Sequence, residues 1–89
     1  MWIVRFSKRA LKQKEKLPKK QQELLFRLMK DMQLGGPVRR DWPNYSTLGD
    51  KNIHHCHLSY SWVACWKMEN QELQLIEIYY AGSRENAPY

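Results

Sequence analysis

Cysteine is scarce in this 89-residue chain: Cys56 and Cys65 are its two. Both fall in predicted strands at no repeated spacing, so nothing implies a disulfide framework, and a reduced, cytoplasmic chain is expected. Long apolar runs are missing as well. No stretch approaches the ~20 residues needed to span a bilayer, so no membrane partner is expected. Met1-Trp2-Ile3-Val4-Arg5 opens directly on a strand pattern instead of the plan of a signal peptide. There are no internal repeats and no low-complexity segments. Acids are few where cations are many. Residues 1–40 hold twelve Lys or Arg against Glu15, Glu23 and Asp31, a net +9, whereas residues 41–89 hold three cations against six acids, a net −3. A basic half on a small domain suggests a polyanionic partner, either nucleic acid or an acidic protein segment. Any single lysine is more simply a solvated helix position.

What is present fits one domain, residues 1–89, with room for one core. Trp2 to Phe6 reads as a first strand, and Ser7 can N-cap a helix that ends at Leu17-Pro18. Pro18 suits the first turn of a second helix, in which Leu24, Leu25, Leu28, Met29 and Met32 recur at helical spacing before Gly35-Gly36-Pro37 stops it. A loop from Arg39 to Asn44 leads to a short strand at 45–48 and turn chemistry at Gly49-Asp50-Lys51-Asn52. Strands are predicted at 53–59, 62–68 and 73–81, with a turn over 69–72. The class is α+β, in the order β-α-α-β-β-β-β. A helical hairpin should cover one face of a mainly antiparallel sheet of four to five strands.

Side chains alternate along a strand, so His55 and His57 share one face while His54, Cys56 and Leu58 share the other. With Cys56, Leu58, Val63 and Cys65 turned to the helices, His55, His57, Trp62, Ala64 and Trp66 should line the open face. Two imidazoles together can take up and release a proton near neutral pH. Metal-free RNA cleavage asks for little more: a base for the 2′-hydroxyl, an acid for the leaving 5′-oxygen, and a cation for the charge on phosphorus. Arg84 suits the last role because guanidinium stays charged and matches phosphate geometry. Tyr89, Trp62 and Trp66 could stack on bases. Lys8, Lys12, Lys51, Arg39 and Arg40 are candidate phosphate contacts. Zinc would need more ligands than His55 and His57 supply on one face. Taken singly, each histidine is an ordinary strand residue and Tyr89 an ordinary frayed end; the pairing favours a site.

The chain resembles the small toxins of the RelE/ParE superfamily, in particular RelE- or HigB-like mRNA interferases of toxin–antitoxin systems. The resemblance rests on Phe6-Ser7-Lys8-Arg9-Ala10-Leu11-Lys12, Lys16-Leu17-Pro18, the hairpin His54 to Trp66, and the ending Gly82-Ser83-Arg84 to Tyr89. It implies a cytoplasmic endoribonuclease with no metal or other cofactor. Such an enzyme cuts mRNA, usually on the ribosome, to a 2′,3′-cyclic phosphate and a 5′-hydroxyl. It also implies catalytic roles for His55, His57, Arg84 and Tyr89, and an antitoxin partner, usually encoded by the adjacent gene. Trp62 stands where relatives carry an arginine, and histidines stand where RelE-like members carry other basic residues. Two alternatives are a ParE-like inhibitor of a protein such as DNA gyrase, and a basic RNA- or ribosome-binding module without catalysis.

Overall fold

The computed structural model covers residues 1–89 and describes every side chain except those of Asp50 and Lys51. Apolar Ile, Val and Phe form the short strand β1 (Ile3–Phe6), with Val4 and Phe6 turned toward the core. Ser7 follows in extended conformation and caps helix α1 (Lys8–Glu15), its Oγ accepting the Ala10 N–H at 3.0 Å. That contact satisfies one of the donors a helix start leaves unpaired. Helix α2 (Lys19–Gly35) starts after Pro18 and buries Leu25, Leu28 and Met32. The Gln22 side chain donates to Leu17 O at 2.9 Å and to Glu15 O at 3.2 Å, closing the corner between the helices. Gly36 ends α2 with φ of 89°, and its N–H returns to Met32 O. A Cβ there would sit 3.0 Å from the Trp2 indole, so both backbone and neighbour call for glycine.

Four strands complete the sheet: β2 (Ser46–Leu48), β3 (Asp50–Ser59), β4 (Trp62–Asn70) and β5 (Leu75–Ser83). Their order is β1-β5-β4-β3-β2, with β1 parallel to β5 and every other pair antiparallel. The α+β architecture and the helical hairpin on one face agree with the sequence expectation. β5 is an interior strand, as its apolar run suggests, but it begins two residues later than expected. β3 begins at Asp50, so part of the expected turn belongs to the sheet.

The helices cover one face of the sheet and build a core there from Ala10, Leu17, Leu25, Leu28, Met32, Cys56, Leu58, Ala64, Trp66, Ile76 and Ile78. A smaller cluster, Val63, Cys65 and Tyr80 with Leu48, Tyr79 and Ala87 against it, lies apart from that core. The pairing puts it on the opposite face. This corrects the expected facing of β4. In an unbulged hairpin Ser59 would pair with Trp62 and His57 with Ala64. Here Ser59 pairs with Trp62 but His57 pairs with Val63, so β3 carries one extra residue beside the turn. Residues directly opposite on neighbouring strands share a face, and a single bulge inverts the side chains beyond it. Trp62, Ala64 and Trp66 therefore face the helices, and Val63 and Cys65 face away. For β3 the expectation holds, with Cys56 and Leu58 in the helix-side core.

Candidate active site

His55 and His57 lie on the face of β3 that the helices leave uncovered, with ring centroids 6.1 Å apart. Their cross-strand partners Cys65 and Val63 belong to the small apolar cluster, which gives the pair a dry floor. His55 Nδ1 lies 3.1 Å from Ser46 Oγ and 3.4 Å from Ser46 O, on the edge strand β2. A carbonyl can only accept, so this arrangement favours a proton on Nδ1 and leaves the ring lone pair on Nε2. His55 is only 8% exposed. The ring of Tyr89 packs against it, with its centroid 4.6 Å away.

The C-terminal segment reaches this position through a series of local bonds. The Tyr80 O–H donates to Ser83 O at 2.7 Å, and the Arg84 N–H donates to Ser61 O at 2.8 Å, joining the end of β5 to the β3–β4 turn. The Asn86 N–H then bonds Ser83 Oγ, the Ala87 N–H bonds Arg84 O, and Ala87 packs on the small cluster. The chain turns back and lays Tyr89, 54% exposed, over His55.

The electrostatics follow from this packing. Burial lowers the His57 pKa below the ordinary histidine value, and the nearby His55 and Arg84 charges lower it further. The neutral base is thereby favoured near pH 7. Burial raises the Tyr89 phenol pKa, with the Cys65 thiol adding to the effect and the Arg84 guanidinium opposing it. The cysteines are free and buried. Burial pushes the Cys65 thiol up to about 12 and raises Cys56 as well, so neither offers a thiolate. Among the described residues no three His, Cys, Asp or Glu side chains are grouped to hold a metal ion.

The remaining candidates lie elsewhere. Trp66 is fully buried and donates from Nε1 to Pro37 O at 2.9 Å, so its expected place on the open face is corrected. Trp62 is half-buried against the helix-side core, a second correction with the same cause, the bulge. Lys8 and Lys12 are exposed on α1, in the helical layer. Arg39 donates to Val38 O and Gly35 O and pairs with Asp41 at 3.8 Å, closing the end of α2. Arg40 is exposed. The Lys51 side chain lies outside the described residues. His54 points into the core, 3% exposed, its Nδ1 2.6 Å from the Tyr45 hydroxyl and its ring stacked on Trp66 at 5.9 Å.

Sequence reasoning missed Ser46, the partner of His55, and Tyr60, whose ring meets Arg84 with the guanidinium carbon 4.9 Å from its centroid. Their signals were slight: a serine in an edge strand, and an aromatic residue between two serines in a turn.

No protein-family model matches the chain, and no curated protein sequence matches it. Solved structures do. The isolated Escherichia coli RelE toxin superposes with a TM-score of 0.78 at 17% identity, covering 99% of this chain and 89% of that one. The archaeal RelE–RelB complex from Pyrococcus horikoshii gives 0.77 at 17% identity over 97% and 98% of the two chains. The E. coli DinJ–YafQ complex gives 0.76 at 13% identity over the whole of both chains. The chain thus has the RelE-like toxin fold, and the resemblance noted in its sequence extends to its architecture.

Proposed function

We propose that this chain is the toxin of a toxin–antitoxin pair and a metal-independent endoribonuclease that cuts mRNA on the ribosome. The observation that carries the reading is the pairing of His55 and His57 on the sheet face the helices leave uncovered, with the Tyr89 ring against His55 and the Arg84 charge felt at His57. In this scheme His57, held neutral, takes the 2′-hydroxyl proton as the 2′-oxygen attacks the adjacent phosphorus. His55, bonded through Nδ1 to Ser46, acts as the acid and gives a proton from Nε2 to the leaving 5′-oxygen. Arg84 balances the charge that builds on the phosphoryl oxygens, and Tyr89 offers a ring for a base to stack on. The P–O5′ bond breaks as the P–O2′ bond forms, leaving a 2′,3′-cyclic phosphate and a 5′-hydroxyl.

An antitoxin is the expected protein partner. The structures similar to this chain include RelE with RelB and YafQ with DinJ. The +9 charge of residues 1–40 favours an acidic segment. Primer extension on mRNA from cells expressing wild type, His55→Ala, His57→Ala and Arg84→Ala tests the nuclease. Wild type should leave new 5′ ends within coding regions and the variants should not. Loss of Arg84 should cost about 2–4 kcal/mol of transition-state stabilisation, the scale of one oxyanion donor. Growth arrest with intact mRNA in wild type would transfer the reading to inhibition of a protein target.

A further inference from the structure

The guanidinium that this chemistry requires is held by a residue outside the candidate set. β3 and β4 meet in a two-residue turn, Tyr60-Ser61, and the extra residue in β3 falls between His57 and Ser59, close to that turn. Bulges of this kind re-aim a neighbouring side chain. Ser83 pairs with Trp62, and the Arg84 N–H donates to Ser61 O, so the segment after β5 is laced to the hairpin tip. There the Tyr60 ring faces Arg84, 4.9 Å from its guanidinium carbon. Tyr60 is 78% exposed and belongs to neither apolar cluster, so core packing does not account for a large aromatic side chain here. Arg84 is exposed too, and among the described residues no carboxylate forms an ion pair with it.

We propose that Tyr60 is a positioning residue: its π face holds the Arg84 guanidinium beside His57 and leaves the N–H edge free for the scissile phosphate. The proposal rests on the nuclease reading for its purpose, though not for its geometry. A cation stacked on a ring engages its planar face, while phosphate recognition uses the donor edge, so one guanidinium serves both. An unstacked arginine would sample many rotamers and spend less time near the site. The charged groups around His57 are His55 on its own strand and Arg84 from the segment after β5. Its cross-strand partner Val63 and the next residue across, Gly82, carry no charge. After burial, these two charges depress the His57 pKa, so displacing Arg84 relieves part of the depression.

The decisive measurement is an NMR titration of the His57 ring in the free protein, with its resonance assigned by loss in His57→Gln. Tyr60→Leu should raise the His57 pKa toward the value in Arg84→Gln, and Tyr60→Phe, which keeps the ring, should titrate with wild type. In an Arg84→Gln background, Tyr60→Leu should add nothing. A Tyr60→Leu protein that titrates like wild type, or a Tyr60→Phe protein shifted as far as Tyr60→Leu, overturns the proposal. In ribosome-dependent cleavage, Tyr60→Leu should lower kcat about two- to fivefold, the range of an exposed cation–π contact, with KM unchanged. A rise in KM alone would make Tyr60 a base-stacking platform and also overturns it. Should wild type cleave no RNA, the nuclease reading fails while the titration still decides where Tyr60 holds Arg84.

Discussion

Replacing Trp66 with phenylalanine tests the facing of β4 directly. Trp66 is fully buried and bonds Pro37 O at 2.9 Å, tying the middle strand of the sheet to the loop that follows α2. Phenylalanine keeps an aromatic ring but removes the donor, leaving the buried Pro37 carbonyl unpaired at a cost of about 1–3 kcal/mol. The ring is also smaller by roughly 40 Å³, which at ~24 cal/mol per Å³ adds about 1 kcal/mol. The total is about 2–4 kcal/mol, against a stability of roughly 4–13 kcal/mol for a chain of this length. Urea denaturation followed by tryptophan fluorescence should show the midpoint falling by about 1.5–3 M, at an m-value of roughly 1.3 kcal/mol/M. RNA affinity of the folded variant should match wild type. An unchanged midpoint combined with weaker RNA binding would refute the reasoning and return Trp66 to the open face.

Acid should destabilise the fold through His54, whose pKa burial lowers. Its stabilising contribution is complete above the unfolded value near 6.5 and is lost as pH falls from there toward the folded value, with a slope of at most ~1.4 kcal/mol per pH unit. Denaturation at pH 7.5 and 5.5 should show His54→Gln losing this part of the dependence, whereas an identical dependence would contradict the buried neutral imidazole. Gly82→Ala would bring a methyl within 2.8 Å of the Tyr80 hydroxyl. Displacing that hydroxyl from Ser83 O should cost about 1–2 kcal/mol, part of which Tyr80→Phe should recover in a double-mutant cycle. Tyr89→Ala uncovers His55, so modification of His55 by diethyl pyrocarbonate, followed by mass spectrometry, should accelerate; an unaltered rate would mean that the terminal ring does not shield it.

The helical hairpin was legible because Ser7, Pro18 and Gly36 punctuate two stretches with helical apolar spacing. The facing of His55 and His57 was legible because alternation holds along β3 up to Leu58. The facing of Trp62 and Trp66 was not. Neither Leu58 nor Ser59 marks a bulge, and Tyr60-Ser61 lacks the Asn-Gly or Asp-Gly signature that identifies a tight hairpin. The parallel pairing of β1 with β5 left no local trace, since Ile3 and Leu75 stand at opposite ends of the chain. Residue chemistry suggested a cation and a stacking ring for the site. The approach of Arg84 and Tyr89 to the histidines depends on bonds among Ser61, Tyr80, Ser83 and Ala87, whose small or common side chains announce nothing.

β1, the first of the five strands in chain order, finds its neighbour in β5, the fifth. While this polypeptide is being synthesised, β1 emerges from the ribosomal tunnel with its hydrogen-bonding edge unoccupied, and β5 is the segment that fills it. Arg84 and Tyr89 follow β5 and emerge later still, so the surroundings of His55 and His57 are assembled only once the sheet can close.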